Sequence, residues 1–337
     1  MSGNGRTGSV DSTSSWRDSL PLSHDPTAWG DWLSTMAAVA QLTPAGVGMH
    51  NVLIATDFSH HSNAALRFGL SLARLYGAQA EIVYVLPTDE YVIAGPEGLH
   101  AAKEAARRDL LEFKSRLGHL PELANFDDLH VSMLEGPVAE CLLQCARERK
   151  IDLIVVGTHG RGGFGKVILG SVAEKVFRHS PVPVLTVGPN IHRHRDINQA
   201  HHILAPCDLT ARSHPAVAYA CALAEEHNSQ LTVMHVADRP VDPTTLDPTK
   251  VKQDVQRQLM DLVGPRADQV AVHYRVEFGS VPSAILQVAS EMDPDFIVVG
   301  VRRASGVLDR FMWPIAYELV RSATCPVLTI RGSGPPR

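Results

Sequence analysis

The chain has 337 residues, of which 45% are hydrophobic and 20% charged, an ordinary globular composition with room for two cores of ~150 residues each. A formal net charge of −5 leaves no broad basic surface, so generic binding to nucleic acid is not expected. No run of ~18 apolar residues is present, which argues against a membrane-spanning helix, and Cys141, Cys145, Cys207, Cys221 and Cys325 lack zinc-finger spacing and read as small buried hydrophobes.

Met1-Ser2-Gly3-Asn4-Gly5-Arg6 contains no apolar signal core, so a cytoplasmic location is expected. Residues 1–20 are rich in Ser, Gly, Asp and Thr and are expected to be disordered, having little apolar surface to offset ordering entropy. Over 29–42, Trp29, Trp32, Leu33, Met36, Val39 and Leu42 fit a short amphipathic helix, ended by Pro44-Ala45-Gly46.

From His50 the pattern changes. Val52-Leu53-Ile54-Ala55-Thr56-Asp57 reads as a buried strand ending in a carboxylate. Ser62 is placed to cap a helix carrying Ala65, Leu66, Leu70 and Ala73, and Gly77 to stop it. A second strand covers 80–85, a charged helix 99–117, a third strand 129–134, a helix 137–149 and a fourth strand 151–157. A glycine-rich loop then leads to a helix at 171–179 and a fifth strand at 181–187. Continuous apolar strands alternating with helices indicate an α/β fold, a doubly wound five-stranded parallel sheet of Rossmann-like type. Ligands in such sheets sit beyond the carboxyl ends of the strands, where Asp57 and Gly157 both fall.

The pattern then repeats. Val52–Ser59 aligns with Ile203–Thr210, and the register continues to Val85 and Val236. A second register matches Gly136 with Gly279, Asp152–Gly157 with Asp295–Gly300, and Pro183–Thr186 with Pro326–Thr329. The chain therefore divides into an extension (1–48), a first module (49–188), a linker (189–200) and a second module (201–331), two copies in tandem.

The informative stretch is Gly157-Thr158-His159-Gly160-Arg161-Gly162-Gly163-Phe164-Gly165-Lys166-Val167-Ile168-Leu169-Gly170-Ser171. It leaves a strand and enters a helix, so its glycines and the helix start at Ser171 can offer main-chain N–H groups to an anion. Two familiar patterns fail on it. Gly160, Gly162 and Gly165 satisfy G-x-G-x-x-G, but the loop follows the fourth strand and no acid ends the next one. Gly160 through Lys166 satisfies G-x-x-x-x-G-K, but Val167 stands where a phosphate loop needs Ser or Thr for magnesium.

A third pattern fits. Gly157-x-x-Gly160, nine residues, then Gly170-Ser171 resembles the ATP-site spacing of the universal stress protein family. Ile54-Ala55-Thr56-Asp57-Phe58-Ser59 resembles that family's first strand and acid, Val155–Gly160 its fourth strand and turn, and Pro181-Val182-Pro183-Val184 its final strand. The resemblance covers 50–188 well and 201–331 more loosely. It implies a fold like that of the adenine nucleotide alpha hydrolases and ATP as the ligand, with Mg2+ left open. It also implies positions. Ala55 and Asp57 lie beside the adenosine, and Val85 touches base or ribose. Val156 and Gly157 flank the ribose and first phosphate, while Gly160, Gly170, Ser171 and Val172 hold the phosphates. No family pattern assigns roles to His159, Arg161 or Lys166.

The second module departs from the pattern. Asp208 and Gly300 match Asp57 and Gly157, but Arg303 stands for Gly160, and Trp313-Pro314 replace Gly170-Ser171. Trp fills space that phosphates need and Pro removes an N–H donor, so no ATP is expected there. Arg302, Arg303 and Arg310 leave another anion open. His192, His194, His201 and His202 lack an acid or Cys at ligand spacing and read as linker residues.

The resemblance favours a nucleotide-responsive regulator or stress protectant, with at most weak ATP hydrolysis. A slow ATPase, an AMP-forming enzyme and a structural pseudo-dimer without ligand are the alternatives. No catalytic set stands out. Family members commonly pair through the last strand, which implies pairing of 182–187 with 326–330 inside one molecule, a homodimer of chains being left open.

Overall fold

A computed structural model describes residues 47–59, 62–91, 93, 95–118, 126, 128–158, 170–191, 200–210, 213–237, 247–301 and 313–331. The helix expected over 29–42 and the expected disorder of 1–20 lie outside them.

The first half runs β1 (Asn51–Thr56), α1 (Ser62–Tyr76), β2 (Gln79–Leu86), α2 (Gly95–Leu117), β3 (Leu129–Glu135), α3 (Val138–Glu148), β4 (Leu153–Gly157), α4 (Ser171–His179) and β5 (Val184–Val187). The second runs β6 (His202–Pro206), α5 (His214–His227), β7 (Gln230–Ala237), α6 (Pro248–Val263), β8 (Ala271–Phe278), α7 (Val281–Met292), β9 (Phe296–Val301), α8 (Trp313–Ser322) and β10 (Val327–Arg331). All strands join one ten-stranded sheet in the order β3-β2-β1-β4-β5-β10-β9-β6-β7-β8. Pairing is parallel within each half, and the chain reverses once, at the antiparallel β5–β10 contact.

Local chemistry explains the elements. Val52, Leu53 and Ile54 are fully buried in β1, as a strand covered on both faces requires. Helix α1 lies close to that strand because Gly69 has no side chain, a Cβ there coming within 2.6 Å of Ile54. Its start differs from expectation. The acceptor is Ser59, whose Oγ takes the Ser62 N–H (3.3 Å), while the Ser62 hydroxyl donates to the Ser59 carbonyl (2.9 Å). A capping side chain stands two or three residues before the N–H it accepts, and Ser62 is already helical. Its end is as expected, with Gly77 at φ +58° and the Ala78 N–H donating back to the Ala73 carbonyl (2.7 Å). The fifth strand begins only at Val184, because Pro181 and Pro183 have no N–H to give a ladder.

The join between halves is close to a two-fold. Leu185 lies opposite Leu328, the residue that repeats it in sequence. Thr329 Oγ1 donates to the Val184 carbonyl (3.1 Å). Arg331 donates to the carbonyls of Ser180 (2.8 Å) and Arg178 (2.6 Å), a cation at the C-terminus of α4. On one face the ends of α1 and α5 meet through Tyr76 Oη and His227 Nε2 (2.7 Å).

Candidate functional site

In the first half the residues singled out from the sequence gather at the carboxyl ends of the strands. Asp57 directly follows β1 and Gly157 ends β4. Ala55, Val85, Val156 and Val172 belong to one apolar cluster reaching from three strands to the first turn of α4. Gly160, with His159, Arg161 and Lys166, lies outside the described residues.

The strand-end acid sits in a tight turn. Asp57 Oδ1 accepts the Ser59 N–H (3.0 Å), and Thr56 Oγ1 accepts the Phe58 N–H (3.1 Å) while touching Ser62 Oγ (3.1 Å). Phe58 is held at φ +61°, a left-handed backbone that a non-glycine residue adopts at a cost. Its ring stacks on Tyr84 at 4.5 Å and packs against Phe113 at 4.9 Å, contacts that offset the strain. The turn thus keeps Asp57 at the mouth of the sheet.

The start of α4 is the second component. Gly170 occupies the cap position and, having no side chain, brings no capping acceptor of its own. The Gly170 N–H donates to the Thr158 carbonyl (2.9 Å), tying the helix start to the end of β4. A Cβ on Gly170 would meet that carbonyl oxygen at 3.3 Å, so the approach favours glycine. The first intrahelical bond runs from the Glu174 N–H to the Gly170 carbonyl (2.9 Å). The N–H groups of Ser171, Val172 and Ala173 precede it and face outward from the positive end of the helix.

A profile of the universal stress protein family matches residues 48–188 and again 199–331. The chain belongs to the universal stress protein family. A universal stress protein from Mycolicibacterium smegmatis is 25% identical over 297 residues, 84% of this chain and 97% of the relative. One from Thermus aquaticus is 33% identical over 137 residues, 40% of this chain and 96% of its own. The crystal structure of a universal stress protein from Archaeoglobus fulgidus superposes with a TM-score of 0.64 at 20% identity, over 86% of this chain and 98% of that one. That likeness extends the shared fold to both halves.

The second half of this universal stress protein repeats the turn with different atoms. Cys207 Sγ replaces the Thr56 hydroxyl, accepting the Leu209 N–H (3.3 Å) and touching Ser213 Oγ (3.1 Å). Leu209 repeats the strained backbone at φ +59°. Burial raises the Cys207 thiol above its usual range, with the Ser213 hydrogen bond opposing, so the group stays a neutral thiol rather than a nucleophile.

Sequence reasoning missed a cavity in this half. It measures about 140 Å³ and is lined by Pro206, Asp208, Met234, His235, Val299 and Ile315 among others. Pro206, Asp208, Val236, Val299, Gly300 and Ile315, all on its wall, repeat Ala55, Asp57, Val85, Val156, Gly157 and Val172. The cavity therefore occupies the place in the second half that the expected nucleotide residues occupy in the first. Aligning those six positions was the available signal. At the start of α8, Trp313 and Pro314 are the first two helical residues. Pro314 takes one N–H from that terminus. The loop with Arg302, Arg303 and Arg310 lies outside the described residues. Among those described, no group of three His, Cys, Asp or Glu side chains is arranged to hold a metal ion.

Proposed function

We propose that the first half binds ATP and that the protein acts as a nucleotide-responsive stress regulator or protectant. The observation that carries this reading is the juxtaposition of Asp57, an apolar cluster and a glycine-capped helix start at one end of the sheet. Each component suits one part of the ligand. The cluster of Ala55, Val85, Val156 and Val172 offers an apolar surface to the adenine ring. The Asp57 carboxylate accepts hydrogen bonds from ribose hydroxyls. Gly157 leaves room beside the sugar, and the N–H groups from Ser171 onward, with Gly160 in the preceding loop, receive the phosphates. Bound ATP would shift a conformation or an assembly that a partner reads. Mg2+, where present, would shield the phosphates.

Native mass spectrometry and nucleotide extraction on freshly purified protein test the reading, run beside Gly170→Trp and Ser171→Pro. One ATP or ADP per chain is expected, lost in both variants, with Asp57→Ala weakening binding roughly tenfold or more. A wild-type chain that neither carries nucleotide nor takes up added ATP sinks the proposal. Adding EDTA before extraction separates metal-assisted from metal-free binding.

A further inference from the structure

We propose that β8 is the pairing edge of a homodimer: two copies of the chain meet antiparallel along this strand, centred on Val276, and continue the sheet across a two-fold axis. The inference does not use the nucleotide site, which lies in the other half.

An open edge is the first requirement. Among the described residues β8 pairs only with β7, at one end of the ten-stranded sheet, and β3 ends it on the other side. The ladder with β7 runs unbroken from Ala271 to Phe278. It has neither the proline nor the bulge that commonly blunts an edge. The Gly279 N–H donates to the Ala237 carbonyl (3.1 Å). By strand alternation the main-chain groups of His273, Arg275 and Glu277 also turn towards β7, and those of Val272, Tyr274, Val276 and Phe278 turn outward. A row of main-chain donors and acceptors therefore faces away from the sheet.

Charge identifies the occupant as a second copy. Arg275 and Glu277 lie on the same face of β8, joined Nε to Oε1 at 2.6 Å, and Arg275 Nη2 meets Glu291 Oε2 of α7 at 2.6 Å. The side chains of Arg275 and Glu277 are each 31% exposed, within reach of a neighbour. In an antiparallel pair centred on Val276, Arg275 stands opposite the partner's Glu277, and Glu277 opposite the partner's Arg275. The four charges form a square of alternating sign, at positions where opposed side chains come closest because they are not the hydrogen-bonded ones. Sliding the strands by two residues keeps the hydrogen bonds but sets Arg275 against the partner's Arg275, or Glu277 against the partner's Glu277. On the other face Tyr274 meets the partner's Phe278, an aromatic cross-strand pair. In this register Val276 exchanges both main-chain bonds with the partner's Val276, and Tyr274 with the partner's Phe278, about six bonds in all.

The opposite edge lacks such a match. Between Leu129 and Glu135, β3 has no Lys or Arg, and its one carboxylate, Glu135, is held by Lys103 at 2.7 Å. Pairing through β8 alone closes at a dimer instead of running on as a filament. The chain already contains a joint of this kind, since β5 and β10 meet antiparallel beneath flanking helices.

Sedimentation velocity on the full-length chain is the test, and a concentration-dependent dimer is expected. Arg275→Glu and Glu277→Arg should each weaken it roughly tenfold or more, because each opposes like charges twice. Mixed in equal amounts, the two variants should pair as the wild type does, every opposed pair being again Arg with Glu. An ion pair that only braced its own strand would give no such rescue, since each variant keeps its own defect. Residue-resolved hydrogen exchange on the wild type needs no variant. The N–H groups of Tyr274, Val276 and Phe278 should slow as the dimer forms, while those of Arg275 and Glu277 are slow throughout. A chain monomeric at every concentration, a dimer indifferent to both reversals, or a mixture that does not recover would each overturn the proposal. So would slow exchange of the outward N–H groups in the monomer, which would mean that the chain covers its own edge.

Discussion

The two halves agree most closely where there is no ligand chemistry to do. Asp152 Oδ2 accepts the N–H groups of His50 (2.8 Å) and Asn51 (2.9 Å), and Asp295 Oδ2 repeats this with His201 (2.7 Å) and His202 (3.0 Å). Lys150 and Asp293, one behind each of these acids, are both left-handed, at φ 51° and 49°. Gly136 and Gly279 match as well, at φ 135° and 121°. The halves part at the mouth of the strands, where Gly170-Ser171 corresponds to Trp313-Pro314 and where Tyr84 in one half is His235 in the other. Duplicated backbone devices hold each sheet in register, so they tolerate little change in either copy. The mouth is free to diverge because the sheet does not depend on it.

The largest effect should come from disturbing the join itself. A Cβ at Gly188 would lie 2.4 Å from the Val320 carbonyl oxygen of the other half. Gly188→Val is expected to cost about 3 kcal/mol of stability, read as a lower denaturant midpoint for the whole chain. Two separate transitions in the variant would show that the halves fold independently once the seam is opened.

Removing the repeated acids tests how alike the copies are. Asp152→Ala and Asp295→Ala each strip the acceptor from the N–H groups at and just before a strand start, at about 2 kcal/mol apiece. Near-equal losses in urea unfolding would support equivalent roles. A large loss in only one half would break the comparison.

Acid should produce the smallest and most one-sided effect. Burial lowers the pKa of His202, His214 and His227, all in the second half, below the ordinary 6.5. The folded chain therefore binds these protons more weakly than the unfolded one. Stability is full above about 6.5 and declines as pH falls below it. Urea midpoints at about pH 7.5 and about pH 5.5 should differ, with the drop reduced in His227→Leu.

Much of the fold could be read in advance. Apolar runs such as Val52–Ile54 and Leu153–Val156 mark strands buried on both faces, and the two registers of repetition exposed the duplication. Asp57, Gly157 and Gly170 were placed correctly at the strand ends and helix start, because strand-to-helix order alone sets those positions. Ser59 was overlooked as the cap because helix starts depend on one or two dihedrals that residue type constrains weakly. The second-half cavity was legible only in part: the repeat alignment marks its wall positions but does not say whether the space between them is filled. Whether Ile315 and Val299 fill a space or line one depends on distances between segments far apart in the chain. The meeting of Tyr76 with His227 likewise needed the antiparallel seam before the two helix ends could be seen to touch.

That seam has a consequence for how such a protein can change. When two identical chains pair through their last strands, every substitution appears twice, once on each side of the axis. Here Leu185 faces Leu328 on one continuous polypeptide, so each side mutates alone while its neighbour stays tethered and in register. A permanently attached, non-identical companion can change the residues at its own strand mouth without dissolving the pair.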